Sequence, residues 1–309
     1  MYYFHSLYFN LSNIQFNILN LIYNIKRPFM RKILEKKIGI IGCGTMGLPM
    51  LEILKKNNVD ISGHDIKNKK NFIKIDNHFI EDKYTFFNHS EVIISAVRDK
   101  DETIDICEGK NGLFYFSEKK ILLISSTLSP LFIREIRKRA PKNITLIDAP
   151  MSGAPMSAKK GSLTFMIGCT KAEFNYIKPL LTLLGKKIKH IGSFGQGMSI
   201  KVLNNFVASC SVVAVRNVLS KSRSFGITPE KLLDVLRDSS GQTWFSSNLN
   251  NIDWATQDYK KENTIAILEK DIISFLDAIN SKTPNNPEMK NFQEALIKGL
   301  RKIPSIPKY

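Results

Sequence analysis

The stretch Lys37-Ile-Gly-Ile-Ile-Gly42-Cys-Gly44-Thr-Met-Gly47 sets a short apolar run directly before the spacing G-x-G-x-x-G, and an amphipathic segment follows it. Gly42 permits the tight turn out of a strand, Gly44 lets a pyrophosphate approach the backbone, and Gly47 allows close packing of helix on strand. Thr45 and Met46 lie where the N–H groups that open the helix face a bound phosphate. The stretch therefore predicts a strand, a phosphate-cradling turn and a helix. Asp65 stands 23 residues after Gly42, at the end of the next apolar run, where a carboxylate accepts hydrogen bonds from adenosine ribose hydroxyls. That position favours NAD. Lys67, Lys69 and Lys70 beside it would neutralise a 2′-phosphate, so NADP stays open, and a solvated turn is the plain alternative for Asp65.

Outward from this loop, short apolar runs alternate with longer amphipathic stretches, the pattern of a parallel sheet with crossover helices. The predicted strands are 37–41, 60–64, 92–97, 121–125, 145–147, 163–168 and 188–190. After Gly197 the character changes: 199–224 is long, apolar and free of Gly and Pro, and 229–236 and 264–279 read as further helices. The fold class is thus an α/β Rossmann-type parallel-sheet domain, residues 36–195, followed by an all-α helical domain, residues 196–309. The junction near Gly195 is where a ligand pocket is expected.

The chain has 309 residues, 43% hydrophobic and 24% charged, which suits two globular domains. Its net charge of +17 comes from lysines spread along the whole sequence, with no finger, RNP-like strand or basic zipper, so nucleic acid is not the expected partner. Cys43, Cys107, Cys169 and Cys210 are widely separated and form no C-x-x-C pair, which fits neither a disulfide scaffold nor a metal site and points to a reducing, cytoplasmic compartment. Residues 1–29 lack acidic groups and carry Lys and Arg only at Lys26 and Arg27; Asn residues interrupt each apolar run before a membrane span accumulates. Residues 1–35 read as a disordered extension, with a mitochondrial transit peptide as the alternative.

Chemistry is expected from Lys201 and Asn205. At i and i+4 on a helix, the amine and the amide converge on one ligand atom, although the same spacing also describes an ordinary solvated face. When a hydride leaves a carbinol carbon, the hydroxyl proton must go to a nearby base, and a lysine does this once desolvation or a neighbouring cation lowers its pKa. Ser152-Gly153 offers a hydroxyl and consecutive backbone N–H groups suited to a carboxylate, or simply a turn.

Three further segments join the glycine loop: Ser126-Thr127-Leu-Ser-Pro130; Asp148-Ala-Pro-Met-Ser152-Gly153-Ala154 with Ala158-Lys-Lys-Gly161; and Gly195-Gln-Gly197-Met-Ser-Ile-Lys201-Val-Leu-Asn204-Asn205. Together they resemble the β-hydroxyacid dehydrogenases over about residues 37–295. The resemblance implies NAD(P)-dependent interconversion of a small 3-hydroxy acid and its semialdehyde, without a metal. It implies Lys201 as general acid/base, Asn205, Ser152 and Gly153 as substrate-binding residues, Thr127 with Ala96 and Val97 on the nicotinamide side, and Lys270 approaching the cofactor from the helical domain. Adjacent charges such as Lys270-Asp271 are otherwise surface residues. The sequence departs from the family pattern in Ala154, which adds a methyl beside the carboxylate site and implies a bulkier or differently angled substrate, and in its final residues, which bear on how the pocket closes. Ser239-Ser240-Gly241-Gln-Thr-Trp244 resembles a family segment, with core packing as the alternative for Trp244. The long apolar helix favours a homodimer or homotetramer. A catalytically silent dinucleotide-binding protein, an imine reductase and a 6-phosphogluconate dehydrogenase are the competing readings.

Overall fold

The computed structural model describes residues 32–261, 263–280 and 287–307, so most of the expected extension 1–35 lies outside the described residues. Ile33 is already buried in the core, ahead of the expected domain start at residue 36. Strands β1 (Ile38–Ile41), β2 (Ile61–His64), β3 (Val92–Ser95), β4 (Lys120–Ile124) and β5 (Ile144–Asp148) run parallel in the order β2-β1-β3-β4-β5. An isolated parallel bridge from Gly63 to Phe79 is the trace of one more strand outside β2. The order reverses at β1, and this switch opens a crevice at the carboxyl ends of β1 and β3.

These strands read as apolar runs because both faces of the sheet are covered. Successive side chains point to opposite faces, so Ile94, Leu123 and Ile147 pack under α1 (Gly47–Lys56), while Ile93, Leu122 and Leu146 pack on the other side. That second side is covered by α2 (Lys83–His89), α3 (Lys100–Glu108) and α4 (Pro130–Arg139). Asp82, Asp99 and Ser129 cap α2, α3 and α4 with side-chain oxygens.

Beyond β5 the expected all-parallel sheet becomes mixed. The two-residue strand β6 (Met151–Ser152) and the short helix α5 (Pro155–Lys159) lead into β7 (Leu163–Gly168), which is antiparallel to both β5 and β6. The crossover α6 (Lys171–Leu184), which packs beside α1, then returns the chain to β8 (Gly185–Gly192), parallel to β7. Ser152 therefore belongs to a strand, paired with Thr164, rather than to a free turn.

Helix α7 (Gln196–Lys221) joins the two halves. Met198 in its first turn belongs to the core under the sheet, whereas Val212, Val215 and Leu219 belong to the helical core. Around it pack α8 (Pro229–Asp238), α9 (Trp244–Asn248), α10 (Thr264–Asn280) and α11 (Pro287–Arg301). Trp244 is half-exposed, and its neighbour Phe245 is the residue in the core.

Candidate active site

The glycine loop has the geometry a dinucleotide requires. Gly42 adopts φ +90°, and a Cβ there would meet the backbone of Ala96 and Val97 at 2.8–2.9 Å. The loops after β1 and β3 are thus in contact across the crevice. At Gly47 a side chain would overlap the Gly42 carbonyl, so the helix sits as close to the turn as the backbone permits. Gly44 and Thr45 are exposed, and Gly44 has open space where a Cβ would stand. The N-cap Met46 provides no side-chain cap and the first turn of α1 holds no acidic residue, which leaves N–H groups and the positive end of the helix for phosphate oxygens. A cleft of about 370 Å³ opens here, lined by Cys43, Gly44, Thr45, Leu48, Lys67 and Lys159 among others. Anionic groups therefore meet two lysines as well as the helix terminus. Asp65 follows β2, where its Oδ1 accepts the N–H of Lys67 at 2.9 Å.

Lys201 is 6% exposed on the second turn of α7. Burial, reinforced by Lys270, holds its amine below the ordinary lysine range, with Asp271 opposing. Asp271 is itself buried: its Oδ2 accepts the Asn205 amide at 2.5 Å, and its Oδ1 pairs with Lys270 Nζ at 3.0 Å. The Asn205 amide is thereby oriented, with its Nδ2 turned to Asp271. Lys270 Nζ also donates to the Thr127 carbonyl at 2.5 Å, just beyond β4. Lys201, Asn205, Lys270 and Thr127 thus form one polar cluster at the carboxyl edge of the sheet. The Lys270-Asp271 pair is part of the interior, not a surface pair.

Ser152 and Gly153 make no hydrogen bond to that cluster. Ser152 is half-buried, and Gly153 is exposed at φ +143°. Next to them Ala154, Pro155 and Met156 form one wall of a junction cavity of about 190 Å³, whose other wall is Asn251, Asp253, Trp254, Gln257 and Thr264. Sequence reasoning missed this second wall, which lies in irregular chain between helices. The carboxy-terminal segment closes on it: Ile306 N–H bonds the Thr256 carbonyl at 2.9 Å, Ile303 is buried, and Arg216 donates to the carbonyls of Ala255 and Pro304. Asp148, at the end of β5, is fully buried, which sequence reasoning did not anticipate. All four thiols are free, and burial pushes Cys43, Cys107 and Cys169 up to about 12.

A Rossmann sheet with this loop, joined by one long helix to a helical domain whose Lys270 reaches the Thr127 carbonyl beyond β4, defines a nicotinamide-dinucleotide-binding protein of two domains. Residues 37–192 match the family model described as the NAD binding domain of 6-phosphogluconate dehydrogenase. Residues 195–300 match the model described as NAD-binding of NADP-dependent 3-hydroxyisobutyrate dehydrogenase. The chain is 32% identical over 220 residues to a probable mitochondrial 3-hydroxyisobutyrate dehydrogenase of Dictyostelium discoideum, covering 70% of this chain and 68% of that protein. It is 29% identical to the mitochondrial 3-hydroxyisobutyrate dehydrogenase of Bos taurus, over 70% of this chain and 65% of that protein's length. To the 2-(hydroxymethyl)glutarate dehydrogenase of Eubacterium barkeri it is also 29% identical, over 67% and 70%. In fold it is similar to the Mycobacterium tuberculosis 3-hydroxyisobutyrate dehydrogenase solved with L-serine, with TM-score 0.73, 23% identity, and coverage of 88% and 96%. The chain belongs to the β-hydroxyacid dehydrogenase family.

Proposed function

We propose that the protein is an NAD(P)-dependent oxidoreductase that interconverts a small 3-hydroxy acid and its semialdehyde. The observation that carries the reading is the buried amine of Lys201, beside an oriented Asn205 and a Lys270 anchored on Thr127, at the sheet edge that carries the glycine loop. The relatives named for 3-hydroxyisobutyrate and 2-(hydroxymethyl)glutarate support the substrate class. So does the L-serine of the Mycobacterium tuberculosis structure, itself a 3-hydroxy carboxylate.

The fit to the cofactor rests on the uncapped start of α1 and the open space at Gly44. Gly42, Gly44, Thr45, Met46 and Gly47 would hold its pyrophosphate, Asp65 its adenosine ribose, and Ala96, Val97, Thr127 and Lys270 would line the nicotinamide side. When bound, the nicotinamide accepts or supplies the hydride. Lys201, deprotonated, takes the hydroxyl proton in the oxidation; protonated, it returns that proton to the carbonyl oxygen in the reduction. Asn205 holds the same oxygen, and Ser152 with Gly153 binds the carboxylate, which fixes the carbinol carbon between base and cofactor. Asp65 favours NAD, while Lys67 and Lys159 in the cleft keep NADP within the reading. We place the work of the protein in the cytoplasm, consistent with its free thiols, with mitochondria as the alternative if residues 1–35 direct import.

A panel of 3-hydroxy acids and semialdehydes, assayed by nicotinamide absorbance with each cofactor, tests the reading. Lys201→Met should lower kcat by roughly 10²–10⁴-fold while NADH affinity, read by fluorescence, stays near the parental value. Parental turnover in that variant would remove the assigned mechanism, and NADH binding without turnover of any substrate would favour the catalytically silent reading.

A further inference from the structure

Asp148 is the one fully buried carboxylate at the carboxyl edge of β5, and nothing in the chemistry above uses it. Its Oδ2 accepts the N–H of Met198 at 2.7 Å, in the first turn of α7, and the Gly195 backbone nearby also favours its ionised form. Its Oδ1 is buried with no hydrogen-bond partner. The packing around it is tight: a side chain at Gly168, its cross-strand partner, would overlap Oδ1, and one at Gly197 would reach within 3.0 Å of Oδ2.

The placement matters because of what lies on either side. Four residues after Asp148 along the chain stands Ser152, at the start of the loop assigned to the substrate carboxylate. Three residues after Met198 stands Lys201, on the same helix. Met198 is itself fully buried and accepts the Leu128 N–H on its sulfur at 3.3 Å, next to Thr127. One carboxylate therefore joins the substrate segment, the lysine helix and the nicotinamide-side loop. Gly195 brings no capping side chain to the start of α7, so Asp148 supplies a cap from another element.

We propose that Asp148 is a positioning residue, a buried pin that fixes the first turn of α7 against the Ser152 segment and so sets the Lys201 amine relative to the substrate. The proposal rests on the oxidoreductase reading for its kinetic consequence, but not for its structural one. A carboxylate kept without solvent and with one oxygen unpartnered costs stability, and a group retained at such a cost has a role beyond packing. Desolvation pushes its pKa up to about 7 against the pull of the Met198 and Gly195 amides. Arg134 on α4 also favours the ionised form, and Cys169, just past β7, is its titratable neighbour. The sign follows: with the folded pKa above the ordinary 3.8, the native state holds the proton more tightly than the unfolded chain, so stability from this group falls as pH rises toward about 7. The ionised carboxylate, in return, makes a charge-assisted and roughly twofold stronger hydrogen bond to the helix start.

The test uses the full chain and Asp148→Asn, which retains an acceptor for Met198 without the charge. Amide hydrogen exchange over 195–203, referenced to intrinsic rates and read in the regime of local openings that break the Met198 bond while Asp148 stays buried, should show protection of Met198 rising severalfold across about pH 7 in the parent and remaining flat in the variant. The melting temperature of the variant relative to the parent should rise with pH from 3.8 toward about 7 and level off above it. Turnover should fall roughly 10–100-fold, with KM and NADH affinity changed less than about threefold. Flat protection in the parent overturns the pin, as does a variant with parental turnover and pH profile, or one that loses NADH binding and melts earlier at every pH. If the parent turns over no hydroxy acid or semialdehyde, the oxidoreductase reading fails alone, and the exchange and melting measurements still decide the pin.

Discussion

At the scale of single residues, the cluster around Lys201 is governed by charges that do not cancel. Asp271 faces a cation on either side, Lys201 and Lys270, while Lys270 also spends a hydrogen bond on the Thr127 carbonyl. Burial and Lys270 both lower the pKa of Lys201, and Asp271 raises it. Removing the Lys270 charge leaves the Asp271 carboxylate to act on Lys201 alone, so the amine becomes harder to deprotonate. Oxidation needs the neutral amine and its rate rises with pH through that titration. Lys270→Met is therefore expected to move the rising limb of the kcat/KM profile toward alkaline pH, and in the reduction to move the falling limb the same way. A profile unchanged by the substitution would show that Lys270 does not act on the lysine electrostatically. The placement of Lys201 and Asn205 at i and i+4 of one helix was legible in the sequence, and so were the glycines, because a turn needs them. Asp148 was not, since its partner Met198 is 50 residues away and no local pattern links them. The burial of Asp271 was equally invisible, because adjacent charges on a helix look like surface until the neighbouring loop is in place.

Among the elements, α7 carries the heaviest load, and its second half depends on Arg216. This guanidinium is buried to 1% exposure and donates to Ala255 and Pro304, which ties the irregular 252–257 segment and the carboxy-terminal tail to one helix. A hydrogen bond to a charged donor contributes about 1.5–3 kcal/mol, and both carbonyls would lose theirs together. Arg216→Met is expected to cost about 3–5 kcal/mol, a drop of several degrees or more in Tm by calorimetry. Because Trp254 and Gln257 line the junction cavity, the same variant should raise KM more than it lowers kcat. An unaltered Tm would mean that the tail is held without the guanidinium, by Ile303 and the Ile306–Thr256 backbone hydrogen bond. The elements themselves were read with uneven success for physical reasons. Strands β1 to β5 declared themselves as apolar runs because both faces are covered. Strand β6 is two residues long, below any periodicity, and the direction of β7 is set by pairing rather than by its composition. Helix α9 is a single short turn after a capping Thr243, and α11 begins beyond a segment whose pattern gave no start.

For the molecule as a whole, one face of α7 is left over after the two cores are built. Met198, Lys201, Ser209, Val212, Val215 and Leu219 point inward, whereas Ile200, Leu203, Val207, Ala214 and Val218 follow each other at helical spacing on the opposite side and are exposed. By length and composition alone the segment Gln196–Phe225 would pass for a membrane span, but Lys201 and Arg216 within it are buried against protein. We expect an apolar stripe of this length to be covered by a second copy of the same chain, since a twofold axis would bring the stripe onto itself. The sequence allowed that expectation from the apolar character of the helix, but not which side faces outward, because that depends on where the two cores fall around it. Two chains of +17 repel each other at long range, so association should strengthen as salt screens the charge. Light scattering after gel filtration should give a dimer or tetramer for the parent, more fully formed at about 0.5 M than at about 0.05 M salt. Val207→Asp, which places a charge at the most exposed point of the stripe, should shift the mass to the monomer while NADH binding persists, because the glycine loop lies on the other domain. A parent that is monomeric at every salt concentration, or a variant with undiminished mass, would assign the stripe to something other than self-association.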